Sequence, residues 1–160
     1  MNPDVSLCPH LGSLEAGEAG LTIATDEIVD WYDGPVEAIA RCRVCGAPAW
    51  IELLDWSHDL AVRVFALAGL RESDAAVYLR GAKKGSCDPK RARAESEALA
   101  ASAGPFERLV GWHVHEGRLL ATAPLAQHSS LPSGDWTERI PAFDDATWFT
   151  RLGLDKAASV

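Results

Sequence analysis

Two long apolar runs separated by three polar residues constrain this chain more than any other feature. Ala49 to Trp56 and Leu60 to Leu70 are rich in Trp, Ile, Val and Phe and flank Ser57-His58-Asp59, the pattern of a β-hairpin. Along Leu60-Ala61-Val62-Arg63-Val64-Phe65-Ala66-Leu67 every position but Arg63 is apolar. Both faces of that strand need cover, which places it in the middle of a sheet and obliges Arg63 to find a buried partner such as an acid.

The flanking sequence predicts the rest of the sheet. Val36 to Val44 reads as a strand entered through a turn at Tyr32-Asp33-Gly34-Pro35. Phe106 to His115 and Arg118 to Ala123 read as a second hairpin around Glu116-Gly117. Alternation sets Phe106, Val110, Trp112 and Val114, with Arg108, on one face and Glu107, His113 and His115 on the other. Asp88-Pro89 is a helix start and Gly104-Pro105 a helix stop. The stripe of Ala92, Leu99 and Ala103 between them suits close packing on a sheet. Ala75 to Gly81 fits either helix or strand, with Ser73 or Asp74 as a possible cap. Pro124 to Asp135 reads as loop, and Asp144 or Asp145 as the cap of a short helix running through Leu152.

The expected fold class is therefore α+β: an antiparallel sheet of about five or six strands with two hairpins, one main helix, and an N-terminal segment pinned by zinc. With 160 residues, 48% of them hydrophobic, the chain suffices for one cored domain. That single domain, 1–160, divides into an irregular N-terminal segment with its metal knuckle, 1–46, and a sheet-plus-helix core, 47–160. The N-terminal part mixes Gly, Glu and Ala with few periodic apolar residues, so it buries little and needs a staple.

Cys42-Arg43-Val44-Cys45-Gly46 supplies that staple. A C-x-x-C-G turn points two thiolates at one ion while Gly relieves the backbone. Two further ligands come from Cys8-Pro9-His10, making Cys8, His10, Cys42 and Cys45 a Cys3His set for structural zinc. The knuckle resembles half of a zinc ribbon or treble clef, with C-x-H standing where those folds most often carry a second C-x-x-C. Inert packed thiols and a thioredoxin-like redox pair are the alternatives, the latter disfavoured because Gly46-Ala47-Pro48-Ala49-Trp50 leads into a strand and not a helix.

Other candidates stand apart from this set. Lys83, Lys84, Lys90 and Arg91 surround the helix start at Asp88 and form a weak anion-binding candidate, against which stands a solvated loop. Cys87 among these cations could serve as a nucleophile. His113 and His115 could share a second metal with Glu116. Asp55 and Asp59 read as turn-forming acids.

Charge narrows the function classes. Residues 1–40 carry eight acids (Asp4, Glu15, Glu18, Asp26, Glu27, Asp30, Asp33, Glu37) and no Lys or Arg, while the remaining acids match the 15 Lys and Arg of the chain. A net charge of -8 excludes general nucleic-acid binding and favours a protein partner with a basic surface. Met1 to Gly20 lacks the basic and apolar regions of a secretory signal, and Leu119 to Gly134, though charge-free, is broken by prolines and polar residues. A cytoplasmic protein with no membrane association is expected. The favoured function is a zinc-stabilised, non-catalytic binding or accessory protein. The alternatives are a small enzyme using Cys87 or a metal at His113 and His115, and an acidic inhibitor or immunity-type protein for a basic partner.

Overall fold

A computed structural model of the chain describes residues 2–24, 27–31, 35–83, 89–125 and 147–154. Among these residues the sheet has seven strands, every pairing antiparallel. They are β1 (Leu21–Thr22), β2 (Ile28–Trp31), β3 (Pro35–Cys42), β4 (Pro48–Ser57), β5 (Val62–Gly69), β6 (Phe106–His113) and β7 (Arg118–Pro124). The helices are α1 (Pro9–Gly12), α2 (Glu72–Lys83), α3 (Pro89–Ser102) and α4 (Thr147–Arg151). An antiparallel sheet accompanied by helices is the α+β class that the sequence predicts. The strand number exceeds the expected five or six through β1 and β2, pieces too short to leave a periodic signal.

The apolar run over Leu60 to Leu70 becomes β5, and every one of its eight residues is buried. It lies in the interior of the order β3-β4-β5-β6-β7, covered on both faces as two-sided apolarity demands. Arg63, 7% exposed, meets a backbone acceptor: its Nη1 donates to the Pro35 carbonyl at 2.8 Å. Both predicted hairpins form. In the first, the Ser57 hydroxyl accepts from the Leu60 amide at 3.2 Å, and Ala61 takes the left-handed conformation at φ 54°.

The sheet curls until residues 17–22 meet both of its edges. Leu21 and Thr22 pair with Cys42 and Arg41 of β3. A few residues earlier, the Gly17 amide donates to the Leu119 carbonyl of β7 at 2.7 Å and the Leu119 amide donates to the Glu18 carbonyl at 2.9 Å. Together with β2, which pairs with Pro35 to Ala38 of β3, this segment covers edges that would otherwise offer unpaired backbone groups. Inside the curl, Val36, Ala38, Ile51, Leu53, Phe65, Leu67 and Val110 form the largest apolar cluster.

The opposite face is covered in two places. Ile39, Trp50, Ala68 and Leu70 pack with Ala75 of α2 and with Leu99 and Ala103 at the end of α3. Leu54, Val62, Val64, Ala66 and Leu109 pack against Trp148, Phe149 and Leu152 of the α4 region. The one main helix of the sequence reading is thus one of two: the ambiguous Ala75 to Gly81 stretch is helical, and it packs on α3. Its start at Glu72 puts Ser73 and Asp74 inside the first turn and not at the cap.

Two further expectations are corrected. The N-terminal segment does not bury little: Val5, Leu7, Leu11, Leu14 and Leu21 are all buried, and Leu7, Leu11, Leu14 and Leu21 belong to the inner cluster. Residues 5–7 come so close to Gly69 and Gly104 that a Cβ on either glycine would overlap the backbone of Val5, Ser6 or Leu7. Phe106 does not share a face with Val110 and Trp112. Leu67 pairs with Arg108 but Ala68 with Phe106, and this one-residue irregularity inverts the alternation. Phe106 packs with the outer clusters, whereas Val110 and Trp112 face the inner one. Val114 falls beyond β6, in the following turn. The turn at Tyr32–Gly34, the helix cap at Asp88, the Ala126 to Asp135 loop and the caps at Asp144 or Asp145 lie outside the described residues.

Candidate metal centre

The link between β3 and β4 brings two cysteines together chiefly through its own backbone, with one distant tie where the Arg43 amide donates to the Gly20 carbonyl at 3.0 Å. β3 ends at Cys42, whose amide donates to the Ala47 carbonyl at 2.9 Å, while the Gly46 amide returns to the Cys42 carbonyl at 2.9 Å. Gly46 closes the turn at φ 75°, a left-handed conformation that a side chain would strain. Inside the loop the Val44 amide donates to Cys42 Sγ at 3.4 Å. Cys42 is buried, whereas Cys45 is exposed, and Val44 at the tip is 71% exposed.

Cys8 and His10 reach the same point from the N-terminal segment. Cys8 is the N-cap of α1, its Sγ accepting the Leu11 amide at 3.4 Å, with Pro9 in the first helical position. A single helical turn then carries His10. α1 is held against the sheet by Leu11, which is fully buried, by the Leu7 amide donating to Glu107 Oε2 at 2.7 Å, and by Arg108 Nε donating to the Gly12 carbonyl at 3.2 Å.

The ligand atoms of Cys8, His10, Cys42 and Cys45 all lie within 4.8 Å of one another. These four side chains could hold a metal ion, and among the described residues no other group of three or more Cys, His, Asp or Glu is so arranged. Burial pushes the Cys8 thiol up to about 11, and although the Leu11 amide opposes that shift, the crowding thiols of Cys45 and Cys42 reinforce it. For Cys42 burial acts in the same upward sense, but the amides of Cys45 and Val44 outweigh it and the thiol falls below its ordinary value. Backbone dipoles aimed at sulfur stabilise thiolate, the form that binds a metal.

Beside the knuckle stands a group that spacing did not single out. Arg41 precedes Cys42 in β3, and its Nε meets Glu27 Oε2 at 2.8 Å while its Nη1 meets Glu72 Oε2 at 2.5 Å. Nη1 also donates to the Gly46 carbonyl at 3.5 Å. Burial disfavours the guanidinium charge, but the carboxylates of Glu72 and Glu27 more than compensate and raise its pKa. Arg41 thus ties the knuckle to the chain before β2 and to the first turn of α2. No local signal marks the partners, which sit 14 and 31 residues away.

The remaining candidates do not converge. His113 and His115 approach with ring centroids 6.0 Å apart in edge contact, but His113 Nδ1 accepts the Glu116 amide at 3.0 Å, and Glu116 pairs with Arg118. His113 ends β6 and His115 sits in the turn, not on the same strand face. Lys83 falls at the end of α2 and Lys90 and Arg91 in the first turn of α3; their side chains, and Lys84 and Cys87 altogether, lie outside the described residues. Asp55 is buried in β4 with Oδ1 accepting the Trp56 amide at 2.8 Å, while Asp59 is in the hairpin turn as expected. Among the described residues no helix is long and apolar enough to cross a membrane. No family model, no curated protein and no solved structure matches this chain.

Proposed function

We propose that the four-residue centre holds structural zinc and that the chain is a cytoplasmic, non-catalytic binding or accessory protein. The observation that carries this reading is the convergence of Cys8, His10, Cys42 and Cys45 within 4.8 Å from two separate parts of the chain. Tetrahedral zinc with bonds of about 2.3 Å to sulfur and about 2.0 Å to nitrogen needs ligand atoms about 3.5 to 3.8 Å apart. From 4.8 Å, a contraction of about 1.3 Å at most reaches that geometry. Three thiolates and one imidazole suit zinc better than a hard cation such as magnesium or calcium. With four protein ligands no position stays open for a reacting water, so the ion stabilises and does not catalyse.

The partner is a protein presenting a basic surface, steered by the acidic stretch 1–40 and the net charge of -8. Mass spectrometry of native protein, purified with neither added metal nor chelator, tests the zinc assignment directly. About one zinc per chain is expected, absent from Cys42→Ser and reduced in His10→Ala. Wild-type protein that is reduced, folded and metal-free would overturn the assignment. Crosslinking in cell extract, followed by salt titration of the captured complex, tests the partner. A complex insensitive to salt would argue against a basic surface.

A further inference from the structure

The three cysteines of the centre differ in access. Cys42 is buried, Cys8 is partly covered and Cys45 is exposed, at a loop whose neighbouring Val44 also stands clear of the fold. Yet the sulfurs of all three lie within 4.8 Å of one another. An accessible sulfur with two others in reach is the arrangement needed for a thiol to be oxidised and then resolved as a disulfide.

We propose that the centre is a redox switch in which Cys45 attacks a hydroperoxide and the resulting disulfide expels the metal. The inference rests on the zinc reading above. In the first step the Cys45 thiolate attacks one peroxide oxygen: an S–O bond forms, the O–O bond breaks, and the departing hydroxide takes a proton to become water. In the second step the sulfur of Cys8 or Cys42 attacks the Cys45 sulfenic acid. An S–S bond forms, the S–O bond breaks, and a second hydroxide leaves as water. Two thiolates lose two electrons in total, hydrogen peroxide is reduced to two waters, and zinc keeps its charge throughout. Only His10 and one thiolate remain as ligands, too few for a tetrahedral site, so the ion leaves. A dithiol reductant and zinc reverse the change.

The switch acts on the contact between α1 and the knuckle. In the metal form the ion joins Cys8 and His10 to the β3–β4 link. After oxidation that junction is lost if Cys42 is the resolving residue, and reduced to one covalent bond if Cys8 is. The Arg41 bond to the Gly46 carbonyl gives the same loop a path to Glu72 on α2.

The test uses full-length zinc-loaded protein carrying Cys87→Ser, so that every change in thiol count arises in the cluster. Hydrogen peroxide is added in steps while zinc release is followed with a chromogenic chelator, thiols are counted, and a parallel sample with dimedone is mapped by mass spectrometry. About one equivalent of peroxide is expected to release the zinc with loss of two thiols, to place the dimedone adduct on Cys45, and to be reversed by dithiothreitol with zinc. A disulfide to Cys8 and one to Cys42 both support the proposal. Zinc retained through a tenfold excess of peroxide, thiol loss without zinc release, or adducts confined to Cys8 or Cys42 would overturn it and leave the structural zinc standing. Protein that carries no zinc before peroxide is added would overturn both.

Discussion

Cys42 and Cys45 are positioned chiefly by the backbone of six consecutive residues, with a tie to Gly20, whereas Cys8 and His10 depend on partners far along the chain. The knuckle is closed by hydrogen bonds among Cys42, Val44, Gly46 and Ala47. The N-terminal arm leans on Glu107, 100 residues from Leu7, and on Arg108, 96 residues from Gly12. A short-range turn forms for little loop entropy, while the distant arm becomes ordered only when the sheet exists. Half of the four-residue cluster is thus largely preorganised, and the other half is a consequence of folding. Metal affinity should therefore report on the packing of the N-terminal arm.

The largest break in this comparison is Cys42→Ser, which removes a ligand from the preorganised half. It should abolish zinc binding and with it the stabilisation that a tightly bound ion confers, about 4 kcal/mol when free zinc is a thousandfold above Kd. Chemical denaturation with and without zinc measures this; a zinc-dependent midpoint retained in the variant would contradict the assigned ligand set. Leu11→Ala attacks the distant arm from below. Leu11 is fully buried, so its truncation should cost about 2 to 5 kcal/mol and weaken zinc binding with every ligand still present. An unchanged zinc affinity would mean that the arm is held by the ion and not by packing.

Glu107→Ala is a gentler perturbation of the same arm. Leaving the Leu7 amide without its carboxylate acceptor should cost about 1 to 3 kcal/mol, and hydrogen exchange at Leu7 and Leu11 should accelerate while the Gly46 amide, bonded to the Cys42 carbonyl, keeps its rate. Equal acceleration at both arms would erase the distinction drawn here. The smallest effect belongs to the exposed side of the Arg41 clamp. Glu72 is 63% exposed and Glu27 only 10%, so Glu72→Ala should cost under about 1 kcal/mol. Glu27→Ala, which strips the covered side of the guanidinium, should cost about 1 to 3 kcal/mol. Thermal denaturation of the two variants side by side decides the order, and a larger loss for Glu72 would reverse it.

The turn over Cys42 to Gly46, both hairpins and α3 were legible because each carries a local mark: paired cysteines with glycine, two-sided apolarity in β5, and proline at a helix start. Cys8 and His10 were legible too, by ligand chemistry and not by any view of where α1 would lie. The type of α2 stayed open, since Val77, 59% exposed, and its neighbours Tyr78 and Leu79 imitate a strand when read without their packing. The flip of Phe106 depends on a register irregularity against Ala68, and alternation within one strand cannot reveal what its neighbour does. Nothing local in the sequence marks Arg41, whose partners Glu27 and Glu72 are brought to it only by the fold.

The sequence alone sufficed for the elements whose cause is local: the strand that must be covered on both faces, the turn that must contain Gly46, and the four side chains that could hold a metal ion. The tertiary structure alone decided that residues 17–22 would meet both edges of a curled sheet, that α2 would pair with α3, and that a segment poor in periodicity would bury Leu7, Leu11 and Leu14. The physical reason is the range of the interactions. Backbone conformation and ligand chemistry act within a few residues, whereas burial and edge pairing depend on surfaces that exist only after strands distant in the chain have come together.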